Sequence, residues 1–212
     1  ISPLKNSLEA NHVTEVMGIV NGTTNFILTK MSQEGMEFSD ALALATELGY
    51  AEADPTADIE GIDAGRKVAI LASVAFNSRV TLDNVHIEGI TKITPEDMVY
   101  AEELGMTIKL LGTSRKLGED TFTALVAPFL VGQKSPLYSV NDVFNAVFVH
   151  GNMLGDAMFY GSGAGKLPTA SAVVADVVEA AKHLHDTIPN NWSNEEMILM
   201  EPDSVEGRFF VR

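Results

Sequence analysis

Between Gly49 and Lys67 the sequence sets one lysine among carboxylates: Glu52, Asp54, Asp58 and Asp63 precede Lys67, with Gly61, Ala64 and Gly65 as small neighbours. Asp63 and Lys67 are four positions apart. On a helix they share a face, acid before base, which is the favourable order for an ion pair. A lysine desolvated beside carboxylates can shuttle a proton. Carboxylates beyond what one lysine needs, here Glu52 and Asp58, can hold a ligand ammonium. The small residues leave room for a ligand to reach the backbone. Val68 to Phe76 is apolar nearly all round, the pattern of a buried helix, so Lys67 is expected at the mouth of a buried element. The same spacing also fits a solvated surface pair worth roughly a few tenths of a kcal/mol. Position alone leaves both readings open.

A second candidate is Tyr160-Gly161-Ser162-Gly163-Ala164-Gly165-Lys166, which leads into a helical pattern. Free N–H groups at such a helix start can hold an anion. It is not a P-loop, because Tyr160 stands where that pattern needs glycine and Leu167 where it needs Ser or Thr. Lys166 occupies the place of the third glycine of a dinucleotide fingerprint, so on pattern alone a tight turn for close packing is the simpler reading. His12, His86, His150, His183 and His185 are scattered, which argues against a histidine metal site. A cation site built from Glu52, Asp54 and Asp58 lacks the EF-hand spacing and its bidentate Glu. The absence of cysteine excludes disulfides, thiol catalysis and cysteine-ligated metals.

These residues need a scaffold to bring them together. Val13 to Val20 reads as a strand ending at the turn signal Asn21-Gly22, and Thr23-Thr24 open a helix. Ser39 is placed to cap a second helix that Gly49 closes, and a third is expected from about Ile59 to Phe76. Thr94-Pro95-Glu96-Asp97 is a helix start. Thr107 to Gly112, Thr121 to Val131, Asn145 to His150 and Gly155 to Phe159 read as strands, and Leu167 to Leu184 as a long helix. Strands and helices mix without regular alternation, so the expected class is α+β, with a mainly antiparallel mixed sheet packed against helices.

Fourteen basic against 29 acidic residues give a net charge of −15, which repels nucleic acid and anionic membranes. No apolar run approaches the roughly 20 residues of a membrane helix. Ile1-Ser2-Pro3 shows neither initiator methionine nor signal peptide, and Glu206 to Arg212 reads as the start of an unpartnered strand. The chain is therefore expected to be a piece of a longer protein. Residues 188–194 form the best linker.

Gly18-Ile19-Val20-Asn21-Gly22-Thr23-Thr24-Asn25-Phe26-Ile27-Leu28, the ungapped stretch Leu48 to Lys67, and Gly163-Ala164-Gly165 through Pro168-Thr169-Ala170-Ser171-Ala172-Val173 together resemble homoserine dehydrogenase, in register from about Pro3 to Leu184. The resemblance implies a reversible, NAD(P)-dependent reduction of aspartate 4-semialdehyde to homoserine in the cytoplasm, in threonine, isoleucine and methionine biosynthesis. It implies that Lys67 transfers the proton and that Asp63 pairs with it. Glu52 and Asp58 would face the substrate ammonium, Tyr50, Gly22 and Thr23 would line the pocket, and Gly163 and Gly165 would approach the nicotinamide. Residues 1–187 would form the substrate-binding and dimerisation domain, and 188–212 a linker plus the first strand of an ACT-like domain. The Rossmann domain and the sodium-ion loop of the family would lie upstream. On this reading the piece alone is inactive and binds NAD(P) weakly or not at all, and an aspartokinase fusion in the full protein stays open. The rival reading is a non-catalytic oligomerisation module whose acidic connector is a solvated loop.

Overall fold

A computed structural model of the chain describes residues 1–186, 193, 197–200, 207–208 and 210–211. After a single π-helical turn at Pro3–Ser7, the elements run β1 (Val13–Ile19), α1 (Gly22–Glu34), α2 (Phe38–Glu47), α3 (Thr56–Ile59), α4 (Ile62–Phe76), β2 (His86–Ile87), α5 (Pro95–Glu103), β3 (Met106–Lys116), β4 (Thr121–Gly132), β5 (Phe144–Gly151), β6 (Gly155–Ser162), α6 (Lys166–Lys182) and β7 (Ile198–Leu199). The sheet order is β2-β4-β3-β1-β5-β6. Its long strands pair antiparallel, while the short β2 and β7 run parallel to β4. The α+β class with a mainly antiparallel mixed sheet is the one observed.

Strand alternation sorts side chains to the two faces of the sheet. Ile108 and Leu110 of β3 and Phe122, Ala124 and Val126 of β4 meet α1, α2, α4 and α5, burying Ile27, Leu28, Met31, Val68 and Met98. Full burial of a side chain such as Leu28 stabilises by roughly 1.5–3 kcal/mol. On the other face Ile19, Leu111, Val131 and Ala146 pack under Leu137 and Val140 of the β4–β5 connection. Outward from them Met17, Phe129 and Phe148 are only half-buried. The helix α6 buries none of its side chains, and Val173, Val174, Val177 and Val178 remain largely exposed.

Several local expectations hold. The strand from Val13 gives way at Asn21-Gly22 to a helix, Thr94 caps α5 in a reciprocal box with Asp97, and Gly49 adopts a left-handed conformation just beyond α2. Others do not. Glu37, not Ser39, precedes α2 as its N-cap residue, with no side-chain cap bond. The helix expected from Ile59 to Phe76 is two helices, broken where Gly61 takes a left-handed φ of 79°. Nor is α4 buried all round: only its sheet-facing side is covered, and Ile70 is 54% exposed. An apolar sequence shows which faces can be buried, not which have a partner. The linker at 188–194 and the strand at 206–212 fall mainly outside the described residues.

Candidate active site

The break at Gly61 shapes the site. On one continuous helix, residues 58 and 63 would point about 140° apart. The left-handed turn at Gly61 re-aims the chain between α3 and α4, and both carboxylates meet one group, the Asn21 amide. Asn21 Nδ2 donates to Asp58 Oδ1 at 2.7 Å and to Asp63 Oδ2 at 2.9 Å. Its Oδ1 accepts from Thr24 N at 2.9 Å and Thr24 Oγ1 at 3.0 Å, capping α1. Asn21 is buried, and its amide is used on both sides.

Lys67 Nζ donates to Asp63 Oδ2 at 2.6 Å and to the carbonyl of Val20 at 3.0 Å. The ammonium thus sits where β1 gives way to α1, on the helical face of the sheet. The Lys67 and Asp63 side chains are 45% and 30% exposed, so the ion pair opens to solvent or ligand and is not sunk in the core. This corrects the expectation of a lysine abutting a buried helix. Lys67 has a free donor direction left, because an ammonium carries three hydrogens and two are used.

Of the other sequence candidates, Thr23 is buried and donates through Oγ1 to the Tyr50 carbonyl at 2.7 Å, tying the connector to the first turn of α1. The Tyr50 ring packs on Phe26, with centroids 5.0 Å apart. Gly22 opens α1, and a Cβ there would lie 3.0 Å from the Val143 carbonyl. Glu52 is exposed and makes no hydrogen bond or ion pair with the Asn21 cluster. Asp54 is occupied locally: Thr56 N and Oγ1 donate to its Oδ1 and hold its carboxyl below the usual range. Among the described residues no cluster of three or more His, Asp or Glu could hold a metal.

The glycine turn stands at the end of β6. A Cβ on Gly163 would fall 2.0 Å from Asn145 Nδ2, so only glycine allows this approach. Gly165 precedes α6 with φ 110°. Asn145 Oδ1 beneath the turn is buried without a hydrogen-bond partner. Among the described elements there is no dinucleotide-binding βαβ unit.

Two residues central to this geometry were not singled out in the sequence for these roles. Asn21 read only as a turn former, although a helix-capping Asn followed at a distance by Asp residues was its available signal. Lys109, inside β3, is buried with its ammonium on three neutral oxygens.

The fold and the site define an α+β domain carrying a lysine–carboxylate centre on the helical face of a mixed sheet. The model of the homoserine dehydrogenase family matches residues 1–178, and the chain belongs to that family. It is 53% identical to homoserine dehydrogenase of Corynebacterium glutamicum over 187 residues, which cover 86% of this chain and 42% of that protein. It is 48% identical to that of Mycobacterium tuberculosis over 217 residues, covering 100% of this chain and 49% of that protein. Among solved structures, a homoserine dehydrogenase from Thiobacillus denitrificans superposes with a TM-score of 0.89 at 41% identity, covering 96% of this chain and 49% of that one. A hyperthermophilic archaeal homoserine dehydrogenase in complex with NADPH superposes at 0.71 with 31% identity, covering 85% of this chain and 51% of that one. The chain thus spans about half the length of the relatives it matches.

Proposed function

We propose that this chain supplies the substrate side of a homoserine dehydrogenase active site, which reversibly reduces L-aspartate 4-semialdehyde to L-homoserine with NAD(P)H. The observation that carries the reading is the convergence of Asn21, Asp58, Asp63 and Lys67 on one solvent-open point. When bound, the nicotinamide supplies the hydride that reduces the carbonyl carbon. Negative charge then develops on the aldehyde oxygen, and Lys67 Nζ stabilises it and delivers a proton, leaving a neutral amine that water reprotonates. Asp63 holds the ammonium in place. Asp58 and Glu52 receive the substrate α-ammonium, Tyr50, Gly22 and Thr23 line the pocket, and together they orient the carbonyl. Gly163 and Gly165 meet the nicotinamide end of the cofactor.

Residues 1–187 act as the substrate and dimerisation domain and 188–212 as a linker into an ACT-like domain. The protein works as a cytoplasmic homodimer formed through the sheet. A purely structural oligomerisation module has no use for a bridged carboxylate pair with a half-exposed lysine, and family membership favours the enzyme. The test is aspartate-semialdehyde-dependent oxidation of NAD(P)H by the full-length protein and by this chain alone. Turnover only by the former, with weak or no calorimetric binding of NAD(P) by the latter, is expected. A full-length protein without turnover ends the proposal.

A further inference from the structure

Lys109 of β3 is 1% exposed, on the same side of the strand as Leu111. Its ammonium has no carboxylate within bonding distance among the described residues. It donates instead to the Val140 carbonyl at 2.7 Å, Asn141 Oδ1 at 2.8 Å and Asn25 Oδ1 at 3.3 Å. Three donors meet three neutral acceptors. Asn25 is also buried, and the two hydrogens of its Nδ2 are shared among the carbonyls of Val140, Asp142 and Phe144 at 3.0–3.1 Å. Thr29 Oγ1, one turn further along α1, accepts from Asp142 N at 3.1 Å. The lysine therefore closes a polar clamp between α1 and the β4–β5 connection. Burial pulls its ammonium down from 10.5 to about 8, only partly opposed by the nearby Asp142 charge. A charge kept in the interior at such a cost is the kind of local violation found where function demands it.

We infer that Lys109 is a positioning residue for the proposed reaction: by fixing Asn25 it fixes the first turn of α1, and through it the Asn21 amide that holds Asp58 and Asp63 beside Lys67. Asn21 and Asn25 are one helical turn apart on the same side of α1. The clamped connection also abuts that first turn, since the Val143 carbonyl lies against Gly22. A rigid helix transmits a small rotation at Asn25 directly to Asn21. A misplacement of about 1 Å at a catalytic centre costs on the order of 10²-fold in rate. The inference rests on the functional reading above.

The experiment is a double-mutant cycle in the full-length enzyme, measuring kcat and KM for homoserine and for the nicotinamide cofactor together with thermal melts. K109M is expected to lower kcat/KM for homoserine by roughly 10- to 100-fold per folded molecule, with the cofactor KM unchanged. In an N21A background the same substitution should cost almost nothing more, because the path to the carboxylates is already cut. Should K109M fail to fold, N25A breaks the clamp at its other end, and the same non-additivity with N21A is expected of it. A lowered melting temperature with normal kinetics, or losses that simply multiply with N21A, overturns the inference. Normal kinetics in N21A alone would instead sink the functional reading itself.

Discussion

Asn21 and Asp58 are 37 positions apart in the chain and 2.7 Å apart in space, joined by an amide that also grips Asp63. Asn21→Asp tests this bridge. The aspartate can still accept from Thr24 N and cap α1, but it sets a third carboxylate against two others. The expected cost is about 1–3 kcal/mol at pH 7, since two hydrogen bonds become like-charge contacts. Crowding raises the folded-state pKa of the new cluster, so the penalty is full above that raised value, fades as pH falls through it, and is gone below the unfolded carboxylate value of about 4. Thermal melts of variant and wild type across pH 4–8 check it. A penalty that does not change with pH would mean the bridge carries no charge.

The elements that carry the site were readable from local chemistry. Thr94-Pro95 marks a helix start by capping rules that act within one turn, and Asn21-Gly22 marks the end of β1 as a turn signal. The site was readable only in part. Asp63 and Lys67 declare themselves by helical spacing, whereas Asn21 finds its carboxylates 37 and 42 residues away, beyond any local pattern. Gly61 is an ordinary glycine in sequence, and the neighbours its left-handed turn lies against, Ile87 and the Glu88 carbonyl, come from more than twenty residues downstream. Lys109 interrupts the apolar run of β3, and nothing local in the sequence marks it as buried. Its burial depends on Leu137 and Val140, some thirty residues downstream, folding over that face.

Lys109 gives a pH signature in stability. The unfolded lysine keeps its proton up to about 10.5, the folded one only to about 8. Between these values the unfolded chain binds more protons, so stability rises with pH through that window. Relative to K109M, the wild-type unfolding free energy should climb by up to about 2–3 kcal/mol from pH 8 to 10.5. Denaturant titrations of both proteins across that range measure it. Parallel curves would place the ammonium in a solvated setting.

The helix-free sheet face leaves Met17, Phe129 and Phe148 half-covered, with Met158 39% and Tyr160 55% exposed beside them. Exposed apolar side chains grouped in this way mark an interaction surface, the one the proposed dimer would cover. Met158→Lys and Phe148→Glu are expected to convert a dimer to a monomer at micromolar concentration, read by light scattering, while circular dichroism stays unchanged. Persistence of the dimer in both variants would move the interface elsewhere.

Lys67→Ala separates catalysis from structure. The Lys67–Asp63 pair is 45% and 30% exposed, and a pair in that setting contributes about 0–1 kcal/mol, so the melting temperature should barely move. The Val20 carbonyl loses a donor at a place water can reach, which adds little. Asp63 keeps the Asn21 amide, so the carboxylates stay in position to bind the substrate ammonium. On the proposed mechanism, what disappears is a cation beside the oxygen that gains charge, and with it the proton. Turnover of aspartate semialdehyde in the full-length enzyme should therefore fall by roughly 10²–10⁴-fold, with cofactor affinity retained. Lys67→Arg keeps the charge but gives up a proton far less readily, so it should restore substrate binding without restoring rate. Turnover near normal in Lys67→Ala would leave this lysine no part in the chemistry, whereas full recovery in Lys67→Arg would leave charge rather than proton transfer as its contribution.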